Sequence, residues 1–237
     1  MACHCFCGCH MIKPDLRRLG SIAPMQLAVI GAAGRIGSRI VAEALGRGHG
    51  VTAMVRNRSR IVGKPDRVAE ADVFDSVALT AALAQADVVV NAAGHAAQLD
   101  DRGFYTRAAQ SLVTALRALD RPPRLIVVGG FGSLREATGH QYADRSDLPA
   151  NAAPEIIGQR DALTYYQGVD DLQWTYMSPP PGGIAPGKRT GMYEIARDAI
   201  GDREANSTLI SMEDYAVAVL DEAERAEHPH ACIAVMR

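Results

Sequence analysis

The residues with the clearest chemistry are three glycines in the run Gly31-Ala32-Ala33-Gly34-Arg35-Ile36-Gly37. Before them stands the apolar run Leu27-Ala28-Val29-Ile30, and after them Ile36, Ile40, Val41, Ala44 and Leu45 recur at helical spacing. A strand that turns at glycine directly into a helix collects unpaired backbone N–H groups and the positive end of a helix dipole at one point. Such a point binds an anion, and phosphate in particular. Gly31 supplies the tight turn, Gly34 lets a pyrophosphate approach the backbone without meeting a Cβ, and Gly37 lets the helix lie close on the strand. Ala33, Arg35 and Ile36 complete the expected loop.

The position that discriminates between dinucleotides lies 25 residues beyond Gly31, after the predicted second strand at 51–55. An acidic residue there takes the ribose hydroxyls of NAD. This chain has Arg56, followed by Asn57-Arg58-Ser59-Arg60. A guanidinium pairs with phosphate, so the position favours the 2′-phosphate of NADP(H), with Arg35 adding to the same pocket. A solvated basic loop is the competing explanation.

The elements that must position these residues follow in regular alternation. A short strand at 68–69 leads to Asp72-Val73, placed to hold an adenine ring or, in Asp72's case, simply to make a turn. Asp75 or Ser76 caps a helix over 77–84. The β-branched run at 87–91 reads as a parallel strand buried on both faces, and it ends in Asn91-Ala92-Ala93-Gly94, small enough to leave room for a cofactor. His95, Asp100 and Asp101 follow in a loop, then a helix over 104–119 and a fifth strand at 124–128 ending in Gly129-Gly130-Phe131-Gly132-Ser133. A sixth strand is expected at 172–177, and Ser178 and Pro179 open a rigid turn suited to wall the nicotinamide. Extended pieces at 190–195 and 207–211 read as a small C-terminal substrate region. The capping-box pattern Ser211-Met212-Glu213-Asp214 starts a helix running to about 224, with Ala216, Val217 and Leu220 inward, and a last strand covers 232–236. The fold class is α/β: a doubly wound parallel sheet with helices on both faces.

Composition sets bounds on this reading. With 237 residues the chain is long enough for a substantial core, and 25–237 reads as a single nucleotide-binding domain behind a leader at 1–24. A net charge of −2 gives no basic field for nucleic acid, and no apolar run reaches the length of a membrane span. Four of the five cysteines sit in Cys3-His4-Cys5-Phe6-Cys7-Gly8-Cys9-His10, a soft-metal donor set without the ligand spacing of structural zinc sites, and it is read as part of the leader. Only Cys232 lies in the body, which suits a reducing cytoplasm, and no metal is expected in the site.

Taken together, the glycine turn, Val55-Arg56-Asn57, Asp72-Val73, Asn91-Ala92-Ala93-Gly94 and Val127-Val128-Gly129-Gly130 resemble the atypical short-chain dehydrogenase/reductases. More narrowly they are similar to the NAD(P)H–flavin reductase and NmrA-like group, near the biliverdin-IXβ/flavin reductases. The segments at 171–180, 187–191 and 210–218 carry the same resemblance. It implies a Rossmann-like sheet with NADP across its carboxyl edge.

Typical members of that superfamily use a Tyr-x-x-x-Lys pair as a proton shuttle. The three lysines here, Lys13, Lys64 and Lys188, are preceded at four positions by Cys9, Arg60 and Ile184, so the pair is absent. Ser133 occupies the neighbourhood of the superfamily's catalytic serine, and Tyr142 lies upstream of Pro154-Glu155-Ile156-Ile157-Gly158-Gln159-Arg160. These two are the catalytic candidates, each with a plain loop role as the alternative. Loss of the shuttle points to a flavin, quinone or related conjugated acceptor, which needs hydride delivery more than protonation. A non-catalytic NADP(H) sensor and a biosynthetic ketoreductase or isomerase are the alternatives. A homodimer is compatible with the sequence.

Overall fold

The computed structural model describes residues 23–61, 63–94, 101–199 and 209–237. The cysteine-rich run, His95, Asp100 and the start of the 207–211 piece lie outside the described residues.

Strand β1 (Gln26–Ile30) pairs in parallel with β2 (Gly50–Val55) on one side and β4 (Val88–Asn91) on the other. Strand β3 (Arg67–Glu70) lies outside β2. Beyond β4 come β5 (Arg124–Val128), β6 (Trp174–Ser178) and β10 (Ala231–Met236), all parallel. At the far edge lies β8 (Glu194–Arg197), giving the order β3-β2-β1-β4-β5-β6-β10-β8. The order reverses between β1 and β4, and such a switch point opens a crevice outside the strands' carboxyl ends.

The sheet is the expected doubly wound parallel one except at its edge, where β8 runs antiparallel to β10. A parallel neighbour requires a crossover that returns the chain to the starting edge. Residues 179–193 instead stay at the edge where β6 ends, so β8 enters the sheet from that edge and runs the opposite way. The short strands β7 (Ile184–Ala185) and β9 (Ile210–Ser211) pair separately beside it.

Helices cover both faces. On one lie α1 (Gly37–Gly46) and α5 (Met212–Arg225), burying Ile40, Val41, Ala44, Tyr215, Val219 and Leu220 against Val29, Val90 and Ile233. On the other lie α2 (Ser76–Leu83), α3 (Phe104–Arg117) and α4 (Ala153–Gln167) over Val89, Val127, Trp174 and Tyr176. Asp75 is the cap of α2, its carboxylate accepting the N–H groups of Val77 and Ala78 at 3.1 and 3.0 Å. Helix α4 has no single apolar stripe, since it packs on the sheet, on α3 and on the 131–133 turn at once. Gly158 meets the backbone of Arg102 so closely that a Cβ there would lie 2.5 Å from its carbonyl oxygen.

The Ser211 hydroxyl caps α5 by accepting Asp214 N–H at 3.0 Å. The expected reciprocal arm is redirected. Asp214 holds the backbone N–H groups of Thr190 and Gly191 at 2.6 and 2.7 Å, and Glu213 holds Gly187 N–H at 2.7 Å. Glu213 also pairs with Arg39 of α1 at 2.6 Å. The acids at the start of α5 therefore tie the 187–191 loop to the helix that begins at the glycine turn.

Candidate functional site

A cleft of about 580 Å³ opens over the carboxyl ends of β1 to β4. Its floor is the glycine turn. Gly31 and Ala32 both donate to the Met54 carbonyl of β2, at 3.1 and 3.2 Å, and Gly34 closes the turn by donating to Gly31 O at 2.8 Å. Gly31 has φ of +75°, and a Cβ there would stand 2.6 Å from the Ala92 carbonyl oxygen. A Cβ on Gly37 would collide with the Gly31 carbonyl. Both positions therefore demand glycine, one for conformation and contact, the other for contact alone.

Around this turn the N–H groups of Ala33, Arg35 and Ile36 have no acceptor among the described residues. With the dipole of α1 behind them, these donors fit an anionic group. A dinucleotide's pyrophosphate matches that donor set. On the opposite lip, Ala92, Ala93 and Gly94 line the cleft. Buried Asn91 shapes that lip by accepting Ala93 N–H at 3.1 Å.

The rim beyond β2 is basic. Arg56, Asn57 and Arg60 line the cleft, and Arg56 and Arg60 have no carboxylate partner among the described residues. Arg58 instead faces Glu70 at 3.6 Å, outside the lining. Asn57 pre-shapes the loop, its carbonyl accepting the Ser59 N–H and hydroxyl at 2.9 and 2.8 Å. Opposite, Asp72 and Val73 line the cleft, and the Asp72 carboxylate accepts Phe74 N–H at 2.9 Å. Asp72 thus makes the turn and also lines the cleft.

The structure thus gathers Gly31, Ala33, Gly34, Arg56, Asp72, Val73, Ala92, Ala93 and Gly94 around one cleft. It leaves four other sequence-derived cofactor candidates off its walls. Arg35 is exposed and Ile36 packs into the α1/α5 core, and neither is among the lining residues. Ser178 and Pro179 are buried at the end of β6. Sequence reasoning missed Phe74 and Arg107 of the lining, where the only signal was an aromatic following Asp72-Val73.

At the reacting end, the two catalytic candidates stand apart from the cleft. Ser133 is 1% exposed, donates to Gly130 O at 2.7 Å, and sits 3.2 Å from the Ser178 hydroxyl. Ser178 in turn approaches the Cys232 thiol at 3.8 Å, whose pKa burial pushes up to about 11. Tyr142 packs edge-on to Phe131, with centroids 5.1 Å apart, under the Arg145 guanidinium at 5.0 Å. Tyr176 donates to Gln159 O at 2.8 Å and Tyr215 to Met177 O at 2.6 Å, and burial raises the pKa of both. Among the described residues no group of three or more metal-ligating side chains occurs, and no helix is long and apolar enough to cross a membrane.

Residues 31–225 match the NAD(P)H-binding family model. The chain belongs to that family. It is an atypical short-chain dehydrogenase/reductase of the NmrA-like group, with the α/β fold expected of it. Relatives of similar length match it over most of the chain. The uncharacterized protein YwnB of Bacillus subtilis is 37% identical over 206 residues, covering 86% of this chain and 94% of its own. A crystal structure of a putative exported protein from Burkholderia pseudomallei is 36% identical with a TM-score of 0.77, covering 90% of this chain and all of that one. A putative NADH-flavin reductase from Streptococcus pneumoniae is 31% identical with a TM-score of 0.79, covering 90% of this chain and 99% of that one.

Proposed function

We propose that this NAD(P)H-binding oxidoreductase prefers NADPH and reduces a flavin, quinone or related conjugated acceptor. The observation that carries the cofactor choice is the pair Arg56 and Arg60 on the cleft rim, without a carboxylate to neutralise them. Guanidinium groups in that position favour a 2′-phosphate over bare ribose hydroxyls. The similarity to a putative NADH-flavin reductase supports the acceptor class, while Arg56 argues for the phosphorylated cofactor in this chain.

Bound NADPH supplies hydride from its nicotinamide, and a conjugated acceptor stabilises the added electrons itself. The protein is then asked for position. The N–H groups of the glycine turn and the rim arginines hold the phosphates, and Ala92, Ala93 and Gly94 keep side-chain bulk away from the sheet edge. Ser133 holds the 130–133 turn closed through Gly130 O, a structural role apart from the cleft. Residues 25–237 work in this reading as one nucleotide-binding domain.

The test is a titration with NADPH followed by a screen of flavin and quinone acceptors. NADPH binding with acceptor-dependent oxidation is expected. Failure to bind NADPH would refute the cofactor reading. Binding without oxidation by any acceptor would refute the flavin or quinone reductase and leave the NmrA-like sensor and the ketoreductase or isomerase as the alternatives.

A further inference from the structure

Phe74 is a large apolar side chain left 44% exposed, and it lines the cleft. Its backbone is fixed by the Asp72 carboxylate. Its ring meets Phe104 edge-on, with centroids 5.3 Å apart, and the Arg107 guanidinium carbon lies 5.4 Å from its centroid. Arg107 is itself clamped by both carboxylate oxygens of Asp101, at 3.2 and 2.6 Å. A ring braced this way, with much of its surface still open to the cleft, is a stacking platform.

We propose that Phe74, braced by Arg107, is the stacking surface for the purine base of the cofactor. The proposal rests on the dinucleotide reading above and adds the residue that grips the base. Topology supplies the direction. Phe74 follows β3, the edge strand on the β2 side of β1, whereas the reacting end lies towards β4 and β5. With the ribose phosphate at Arg56, after β2, the base continues outward to Phe74. Arg107 has its charge matched by Asp101, so it serves as a flat brace and leaves the phosphate to Arg56 and Arg60. Stacking suits this place because it needs no hydrogen-bonding side chain.

The test uses the full chain and three ligands: NADPH, NADH and adenosine 2′,5′-bisphosphate, which carries the base and the 2′-phosphate without nicotinamide. Phe74→Ala is expected to weaken all three by a common factor of about tenfold, the scale of one base stacked on one aromatic side chain. Phe74→Tyr is expected to restore affinity, and the ratio of NADPH to NADH affinity stays that of the wild type. Should the alanine variant fail to fold, Phe74→Leu keeps the apolar contact with Phe104, lacks the ring, and is expected to show the same loss. Wild-type affinity for adenosine 2′,5′-bisphosphate in the folded alanine or leucine variant would overturn the proposal alone. Loss that Phe74→Tyr does not restore would overturn it too. A wild type that binds none of the three ligands would overturn the cofactor reading together with it.

Discussion

The two ends of the sheet's carboxyl edge are built on opposite principles. Over β1 to β3 the N–H groups of Ala33, Arg35 and Ile36 in the glycine turn have no acceptor among the described residues, and Arg56 and Arg60 line the cleft without a carboxylate partner among them. Over β5, β6 and β10 the hydroxyls of Ser133 and Ser178 and the thiol of Cys232 are buried and engaged with one another. Unsatisfied donors on a preformed surface store affinity for an anion, since a buried or half-buried donor gains most from the partner it lacks. Satisfied hydroxyls hold backbone in place and have little proton chemistry to offer. Under the function proposed above, the contrast means that recognition is concentrated on the adenosine and phosphates and that the electron acceptor does much of its own chemistry.

The strongest way to break the contrast is to spoil the open end. Gly31→Val combines a β-branched residue at φ of +75° with a Cβ 2.6 Å from Ala92 O. It is expected to weaken NADPH binding by about 100-fold or more, because backbone strain and a displaced lip act together. Fluorescence titration reads the loss, and wild-type affinity would show that the turn is not the phosphate site.

A narrower change at the same end is Arg56→Ala. Removing a charge-assisted contact costs about 1.5–3 kcal/mol, so the preference for NADPH over NADH is expected to fall by about 10- to 100-fold with little change in NADH affinity. An unchanged preference would move the 2′-phosphate away from Arg56.

At the closed end the expected effects are small. Ser133→Ala and Tyr142→Phe are each expected to leave kcat within about threefold, against the 100-fold or more that loss of a general acid costs. A larger fall in kcat for either variant would restore it as a proton donor.

The smallest effect lies under the closed end, in acid stability. Burial pushes the Glu222 carboxyl up, but His228 at 2.7 Å and the Thr175 hydroxyl at 3.1 Å outweigh it and hold its pKa below the usual carboxylate value. A carboxylate with a lowered folded pKa stabilises fully above its unfolded value of about 4.3 and loses that contribution as pH falls through the folded value. Melting temperatures of the wild type are therefore expected to drop more between pH 6 and pH 3.5 (about these limits) than those of Glu222→Gln. Parallel curves would remove Glu222 from the acid response.

The open end was legible because its signals are local. A glycine turn, a strand end and the residue after it are contiguous in sequence, and each acts through its own backbone or its immediate neighbour. Asp72-Val73 and Ala92-Ala93-Gly94 reached the same cleft because strand ends in a doubly wound sheet share one edge. Phe74 and Arg107 escaped because their meeting depends on the packing of α2 against α3, which no spacing rule encodes. Arg35 lies within the glycine turn yet is exposed and off the cleft lining, a placement that residue type alone does not give. The α4 helix hid for a related reason: three different neighbours spread its buried positions around the helix. The antiparallel β8 depended on the path of 179–193, where the chain stays on one edge.

The central claim is that the open end is made for a phosphorylated dinucleotide, and a paired equilibrium titration of the wild-type protein with NADPH and NADH tests it most directly. NADPH is expected to bind tighter by about tenfold or more, the scale of one charge-assisted contact to the 2′-phosphate. Equal affinities, or tighter binding of NADH, would contradict it.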